Sequence, residues 1–183
     1  LTLSNQPNKA LKPRLAITMK QSSAPWQAVS LSVVFALLLS MMPLPQWIIP
    51  YWPYWLALVM IFWGLETNQM LGLGKAFVLG LVLDLIAGTL LGQHALSLLV
   101  LAYLLSLFRN RLRFFPAWQQ TLAVLVLLCN DRVIQLWIII ASKGEIPHWD
   151  FAIAPFMGAV LWPWLFLMLD LLRRYWRQKH NQH

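Results

Sequence analysis

The stretch that decides the fold is Gly72–Gly92, GLGKAFVLGLVLDLIAGTLLG. Small residues and one aspartate occupy every fourth position in it: Gly72, Ala76, Gly80, Asp84, Gly88 and Gly92. Residues four apart lie on nearly the same face of an α-helix, and small side chains there let another helix approach closely. We call this face the small-residue ladder. Asp84 is one of its positions, so we expect its carboxylate to face a helix rather than lipid.

The ladder has two interpretations. It packs against the chain's own helices, or the helix of a partner protein docks on it. An aspartate at the centre of a membrane helix costs about 2.5–3.5 kcal/mol on insertion scales. The carboxylate of Asp84 therefore needs a hydrogen-bonding partner or a proton under either interpretation.

The composition around this stretch is that of a membrane protein. Of the 183 residues, 60% are hydrophobic and 11% are charged, whereas soluble domains carry about 25% charged residues. The net charge of +8 comes from short basic clusters at the ends of apolar runs. This distribution excludes a nucleic-acid-binding face, which would interleave basic and aromatic residues on a soluble fold. The single cysteine, Cys129, excludes an intramolecular disulfide.

The apolar region 72–108 is too long for one membrane helix. It would measure about 55 Å, against a bilayer core of about 30 Å. We expect a break at AGTLLGQH, Ala87–His94, with Gly88 and Gly92 as turn residues. The chain is thus predicted to be an all-α bundle of six transmembrane helices, at about 26–42, 53–65, 72–89, 94–108, 117–140 and 152–171.

The ends of the chain are predicted to be basic cytoplasmic tails. They cover residues 1–25 and 173–183, around a membrane domain at 26–172. Met19 is the first methionine, so we expect it to be the natural start and residues 1–18 to be an upstream extension. A run with three prolines, PQWIIPYWPYW, excludes a regular helix ahead of the second span and predicts an interfacial or re-entrant segment.

The distribution of basic residues supports the six-span count. With six spans, twelve of the fourteen lysines and arginines fall on one side: Lys9, Lys12, Arg14, Lys20, Lys75, Arg109, Arg111, Arg113, Arg173, Arg174, Arg177 and Lys179. The positive-inside rule makes that side cytoplasmic, with both termini inside. If 72–108 were one span, the later clusters would change sides and this asymmetry would disappear.

A second polar feature lies within the predicted fifth span, where Asn130, Asp131, Arg132 and Gln135 interrupt an apolar run. Together with Asp84 these residues form a predicted intramembrane polar cluster, and we expect Arg132 to reach toward Asp84 or toward a polar group of a partner. The cluster could lock the bundle together, relay a proton or an ion, or contribute to partner docking. In the sixth span Pro163 frees a backbone carbonyl and predicts a helix kink.

Sequence motifs of catalysis are absent. The chain has no G-x-S-x-G, no H-E-x-x-H and no P-loop, and His94 and His148 stand singly at span ends. The sequence therefore predicts no catalytic residues, no metal site and no cofactor.

Three segments together resemble one family of bacterial membrane proteins. They are GKAFVLGLVLDLIAGTLLGQHALSLLVLAYLL (Gly74–Leu105), AWQQTLAVLVLL (Ala117–Leu128) and GAVLWPWLFLML (Gly158–Leu169). In order and spacing they are similar to MreD, the rod shape-determining family, over about residues 26–176. The matching positions are Pro53, Trp55, Gly80, Asp84, Gly88, Gly92, Asp131, Trp162, Pro163 and Trp164. Tyr54 and Arg132 depart from the family pattern, the first expected to be polar and the second apolar.

The resemblance implies a non-enzymatic, multi-pass protein of the bacterial inner (cytoplasmic) membrane that supports rod shape and lateral peptidoglycan synthesis. It implies direct binding to MreC, with MreB, RodA and a penicillin-binding transpeptidase in the same elongation (Rod) complex and membrane lipids around it. It also implies a fold similar to the substrate-binding subunits of energy-coupling-factor (ECF) transporters. That fold leaves an alternative function, a small-molecule or lipid-carrier binding or transport subunit. The few polar residues in the predicted outer loops favour the scaffold.

Overall fold

The computed structural model describes residues 26–45, 47–67, 72–144 and 152–180, and their regular secondary structure is entirely helical. The α-helices are α1 (Trp26–Ser40), α2 (Trp55–Glu66), α3 (Leu73–Ala87), α4 (Gln93–Leu112), α5 (Ala117–Lys143) and α6 (Ala154–His180). A 3₁₀ turn, Ile49–Tyr51, lies in the proline-rich segment before α2. The all-α prediction is confirmed, and a helix lies at each predicted span. The predicted N-terminal tail and His148 lie outside the described residues.

The helices fall into a short group and a long group. Within the described residues, three helices are long and apolar enough to cross a membrane, at Gln93–Leu112, Ala117–Ser142 and Ala154–Trp176. The helices α1, α2 and α3 have 15, 12 and 15 residues, which corresponds to about 22, 18 and 22 Å. A bilayer core is about 30 Å thick. Helix length alone therefore leaves the six-span count a prediction.

The shortest helix, α2, is the centre of the bundle. Every residue from Leu56 to Leu65 is buried, and α2 packs against α1, α4 and α6. The indole N–H of Trp63 donates to Ser32 Oγ on α1 over 2.7 Å. A helix that is apolar on all sides is one that is surrounded by other helices. The protein thus shields α2 from lipid, so α2 does not need the length of a lipid-exposed span.

Two arginines fix the far end of α2. Arg109, near the end of α4, donates from Nε to the carbonyl oxygen of Leu65 over 3.4 Å. Arg173, in the last third of α6, forms an ion pair with Glu66 and a second one with Asp170, 2.7 Å away. The C-terminal parts of α2, α4 and α6 therefore lie at the same end of the bundle. This arrangement is what helices of alternating direction require.

The last helix runs through its internal proline without interruption. Pro163 lies inside α6, and the helix continues from Ala154 to His180, past the predicted end at residue 171. Trp162 on one side of it is buried, whereas Trp164 on the other side is exposed. The predicted basic tail thus begins as a continuation of α6.

Candidate functional site

The carboxylate of Asp84 caps the helix that follows its own. Its Oδ1 accepts hydrogen bonds from Thr89 Oγ1 (2.9 Å) and from the backbone N–H of His94 (2.9 Å). Its Oδ2 accepts from the backbone N–H groups of Gly92 (2.8 Å) and Ala95 (3.3 Å). The ring nitrogen His94 Nδ1 lies 2.8 Å from Oδ1. Asp84 is 1% exposed, and the start of α4 supplies the donors that its burial requires.

The position of Asp84 is unfavourable for α3 and favourable for α4. Asp84 is in the last turn of α3, where the helix dipole presents partial negative charge. The start of α4 presents partial positive charge and unsatisfied N–H groups. Because the chain turns back within five residues, the carboxylate reaches those groups. The result is a side-chain cap shared between two consecutive helices.

Three glycines make this hairpin possible. Gly88 and Gly92 have φ angles of +62° and +101°, which residues with a Cβ atom adopt at a cost. Gly80 lies where α3 touches α4: a Cβ atom built there would overlap Ala95 Cα and would lie 2.6 Å from the Ala95 backbone nitrogen. The interhelical approach at this point is therefore possible only without a side chain.

The small-residue ladder is thus mainly an internal seam. Ala76, Gly80 and Asp84 are buried, and α3 packs most extensively against α4. Gly88 and Gly92 form the turn, and Gly72 stands exposed just before α3. Of the two interpretations, packing within the chain describes positions 76–84. At Gly80 and Asp84, the helix of a partner could dock only by displacing α4.

A second polar group ties α5 to α4. Gln135 Nε2 donates to Asp131 Oδ2 over 2.8 Å and lies 3.4 Å from Ser97 Oγ on α4. Arg132 Nη1 donates to Gln135 Oε1 over 3.3 Å. Asp131 and Gln135 are each 1% exposed, and Ser97 is fully buried. The amide of Gln135 therefore bridges the carboxylate and the guanidinium, which are adjacent in sequence but project in different directions.

Tyr54 and His94 connect the two groups. The Tyr54 ring packs edge-on against the His94 ring, with centroids 5.7 Å apart. Tyr54, at the start of α2, and Asp131 both lie beside Ser97. We call the whole assembly the interhelical polar cluster; its members are Tyr54, Asp84, His94, Ser97, Asp131, Arg132 and Gln135.

The structure revises the predicted cluster in three respects. Asp84 receives its hydrogen bonds from its own hairpin, so it does not depend on Arg132; Arg132 donates one hydrogen bond to Gln135. Asn130 Oδ1 is buried without a hydrogen-bond partner, so this oxygen does not join the other polar side chains. His94, predicted to stand alone, lies with its ring nitrogen 2.8 Å from Asp84 Oδ1.

Sequence reasoning missed His94, Ser97 and Tyr54 as members of this cluster. The signal for His94 was present in the spacing: a tight turn marked by Gly88 and Gly92 brings residue 94 back over residue 84. Ser97 follows one helical turn later on the same side of α4. No comparable signal existed for Tyr54, because its place depends on how the irregular segment 43–54 enters the bundle.

The cluster has the contacts of a site that joins helices. Among the residues that the structure describes, no group of three or more His, Cys, Asp and Glu side chains could hold a metal ion. Most polar contacts in the cluster either cap one helix or bridge two helices. They involve α2, α3, α4 and α5. With three helices able to cross a bilayer, these features define a small helical membrane protein whose buried polar groups fix helix positions.

Comparison with known proteins gives the family. The family described as rod shape-determining protein MreD matches residues 20–172. The rod shape-determining protein MreD of Haemophilus influenzae (strain ATCC 51907 / DSM 11121 / KW20 / Rd) is 32% identical over 149 residues, which cover 81% of this chain and 92% of that protein. No solved structure matches the chain. The chain belongs to the MreD family of rod shape-determining proteins, and the sequence-based recognition is confirmed.

Proposed function

We propose that the protein is a non-enzymatic, multi-pass component of the bacterial inner membrane that binds MreC within the cell elongation (Rod) complex. MreB, RodA and a penicillin-binding transpeptidase are the further members of that complex, and rod shape with lateral peptidoglycan synthesis is its outcome. Membership of a rod shape-determining family is the observation that carries the proposal. The comparisons give no support to the alternative, a small-molecule or lipid-carrier transport subunit with a fold similar to that of the ECF substrate-binding subunits.

The arrangement of the helix ends supports six spans with both termini in the cytoplasm. The contacts of Arg109 and Arg173 with the end of α2 bring the ends of α2, α4 and α6 together. Arg111 and Arg113 follow Arg109, so this end is rich in basic residues. The positive-inside rule assigns such an end to the cytoplasm.

Because α4 packs on the small-residue ladder, we expect MreC to bind at another surface. An apolar groove of about 500 Å³ runs between α1 and α6, over α2. Its lining is almost entirely aliphatic and aromatic and includes Phe35, Trp55, Trp164 and Met168. A transmembrane helix is apolar on its surface and packs by shape into such a groove. We place the single transmembrane helix of MreC there.

The groove offers a matched pair of tryptophans for a test. Trp164 lines it and is 72% exposed, whereas Trp137 on α5 lies outside it and is 74% exposed. Substitution of either residue by alanine removes the same side chain from a spanning helix. We expect Trp164→Ala to reduce co-purification of MreC at least fivefold and Trp137→Ala to leave it unchanged. Equal recovery with both variants would exclude the groove, and absence of MreC from the wild-type sample would contradict the proposed function.

A further inference from the structure

The interhelical polar cluster contains a buried carboxylate oxygen, Asp131 Oδ1, that makes no hydrogen bond of ordinary geometry. Asp131 Oδ1 and Tyr54 Oη are both buried and have no hydrogen-bond partner. Both residues lie beside Ser97, whose hydroxyl donates to the carbonyl oxygen of His94 over 3.1 Å. Buried polar atoms are ordinarily paired, and an exception calls for an explanation such as a bound ion or water. The unpartnered oxygen atoms of Asp131 and Tyr54 thus indicate a site for a ligand that is coordinated by side-chain oxygen atoms.

The formal charges of the cluster indicate the sign of that ligand. Asp84 and Asp131 contribute two negative charges, and Arg132 contributes one positive charge. The start of α4 compensates Asp84 in part. Arg132 Nη1 donates to Gln135 Oε1, and Asp131 Oδ1 has no hydrogen-bond partner. With the His94 ring uncharged, one added positive charge makes the formal sum of carboxylates and cations zero, which a low-dielectric interior favours.

The surroundings contain few other groups that titrate. α2 contributes Tyr54, α3 contributes Asp84, α4 contributes His94, and α5 contributes Asp131, Arg132 and Cys129. α1 has no titratable residue. Arg173 and Asp170 of α6 meet Glu66 at the opposite end of α2. The side chain of His94 is 15% exposed and gives the cluster a route to its surroundings.

We propose that Asp131, Tyr54 and Ser97 form a binding site for one monovalent cation, a proton or Na⁺. The proton is carried on the Asp131 carboxyl; Na⁺ is ligated by Asp131 Oδ1 with the hydroxyl oxygens of Tyr54 and Ser97. Both ligands neutralise the same carboxylate and both join α2, α4 and α5. A bridging water molecule would satisfy the hydrogen bonds but would leave the charge.

The test uses the purified full-length protein in nanodiscs. Its thermal unfolding is followed in NaCl and in choline chloride of equal ionic strength, and infrared spectra record the protonated-carboxyl band across pH. A ligand that binds only the folded state stabilises it, and a hundredfold excess over Kd raises Tm by about 5–10 °C for a chain of this size. Asp131→Asn is the site variant. Asp170→Asn, an aspartate in the ion pairs of α6, is the control.

The outcomes distinguish Na⁺, a proton and water as the occupant of the site. A Tm that rises with Na⁺ in the wild type and in Asp170→Asn, but not in Asp131→Asn, identifies Na⁺. A carboxyl band near neutral pH that Asp131→Asn abolishes and Na⁺ does not change identifies the proton. If Asp131→Asn responds to Na⁺ and to pH as the wild type does, the site holds water only and the proposal is overturned.

A second variant covers a failure of Asp131→Asn to fold. Tyr54→Phe keeps the carboxylate and removes the hydroxyl oxygen. For a sodium site it raises the apparent Kd for Na⁺ at least fivefold; for a proton site it shifts the infrared titration midpoint of the carboxyl band. A Tyr54→Phe protein with unchanged titrations overturns the site as drawn.

Discussion

Asp84 Oδ2 accepts a hydrogen bond from the backbone N–H of Gly92 over 2.8 Å, so the last turn of α3 is linked to the start of α4. The same carboxylate also accepts hydrogen bonds from the backbone N–H groups of His94 and Ala95, the second and third residues of α4. A hairpin of two consecutive helices is therefore closed by one side chain. Its charge suits the partial positive charge at the start of α4.

Asp84→Asn keeps the size of the side chain but removes the charge and replaces one acceptor oxygen by a donor. We expect the free energy of unfolding to fall by about 2–3 kcal/mol, because several hydrogen bonds to a charged cap are weakened at once. The measurement is denaturant-induced unfolding in mixed micelles, followed by tryptophan fluorescence.

Thr89→Val is the control for this change. It removes the hydrogen bond from Thr89 Oγ1 to Asp84 Oδ1 and the 3.2 Å contact of the same hydroxyl with His94 Nδ1, and it leaves the carboxylate in place. The expected loss is about 1 kcal/mol. A loss for Asp84→Asn no larger than that for Thr89→Val would show that the cap is not the main stabilising contact of the hairpin.

Gly80→Ala tests the close approach of α3 to α4. A methyl group at Gly80 overlaps the backbone of Ala95, which cannot move aside as a flexible side chain can. The helices must separate, and we expect a destabilisation of about 1–3 kcal/mol. Gly74→Ala on the same helix is the matched control, since a Cβ atom there meets nothing within 4 Å. Gly74→Ala is expected to stay within about 1 kcal/mol of the wild type, and equal effects of the two changes would contradict the seam.

Two features of the α3–α4 hairpin could be predicted from the sequence alone. The four-residue spacing from Gly72 to Gly92 predicted a close helix contact, and the length of the apolar region predicted the break at Gly88. Both predictions rest on local geometry, which a sequence carries. The identity of the helix in contact with Gly80 was left open, because any helix could use a face of small residues.

The contacts of the polar cluster could not be predicted from the local sequence. Arg132 was the nearest counter-charge by depth, yet Asp84 is satisfied by backbone N–H groups, which have no sequence signature. Tyr54 joins the cluster only because α2 is short and buried, so that its first turn lies deep in the bundle. Such a position follows from packing among distant segments and cannot be read from spacing. The number of spans remains a prediction for the same reason, since α1 to α3 are shorter than a bilayer core.

Arg173→Gln tests the contact that holds the far end of α2. The side chains of Arg173, Glu66 and Asp170 are each 15% exposed, whereas that of Arg174 is 70% exposed. Loss of Arg173 removes the cation that pairs with the largely buried Glu66 carboxylate, whereas Asp170 keeps its ion pair with Arg174, 2.7 Å away, and we expect a destabilisation of about 1–2 kcal/mol. Arg174→Gln, one residue further on, should change stability by less than about 0.5 kcal/mol. The measurement is thermal unfolding of both variants in the same detergent, and a larger loss for Arg174→Gln would refute this assignment.

The membrane orientation is tested by cysteine labelling on a Cys129→Ala background. Leu91 lies in the turn between α3 and α4 and is 70% exposed, and Phe114 lies between α4 and α5 and is 85% exposed. If the basic end of the bundle is cytoplasmic, Leu91→Cys reacts with a membrane-impermeant thiol reagent in intact spheroplasts, and Phe114→Cys reacts only after the membrane is opened. Both positions lie at opposite ends of α4, so a correctly inserted α4 must give opposite results. Labelling of Phe114→Cys from outside would reverse the orientation. Labelling of both positions from the same side would mean that α4 does not cross the membrane. The six-span topology, which requires α3 and α4 to be separate spans, would then be wrong.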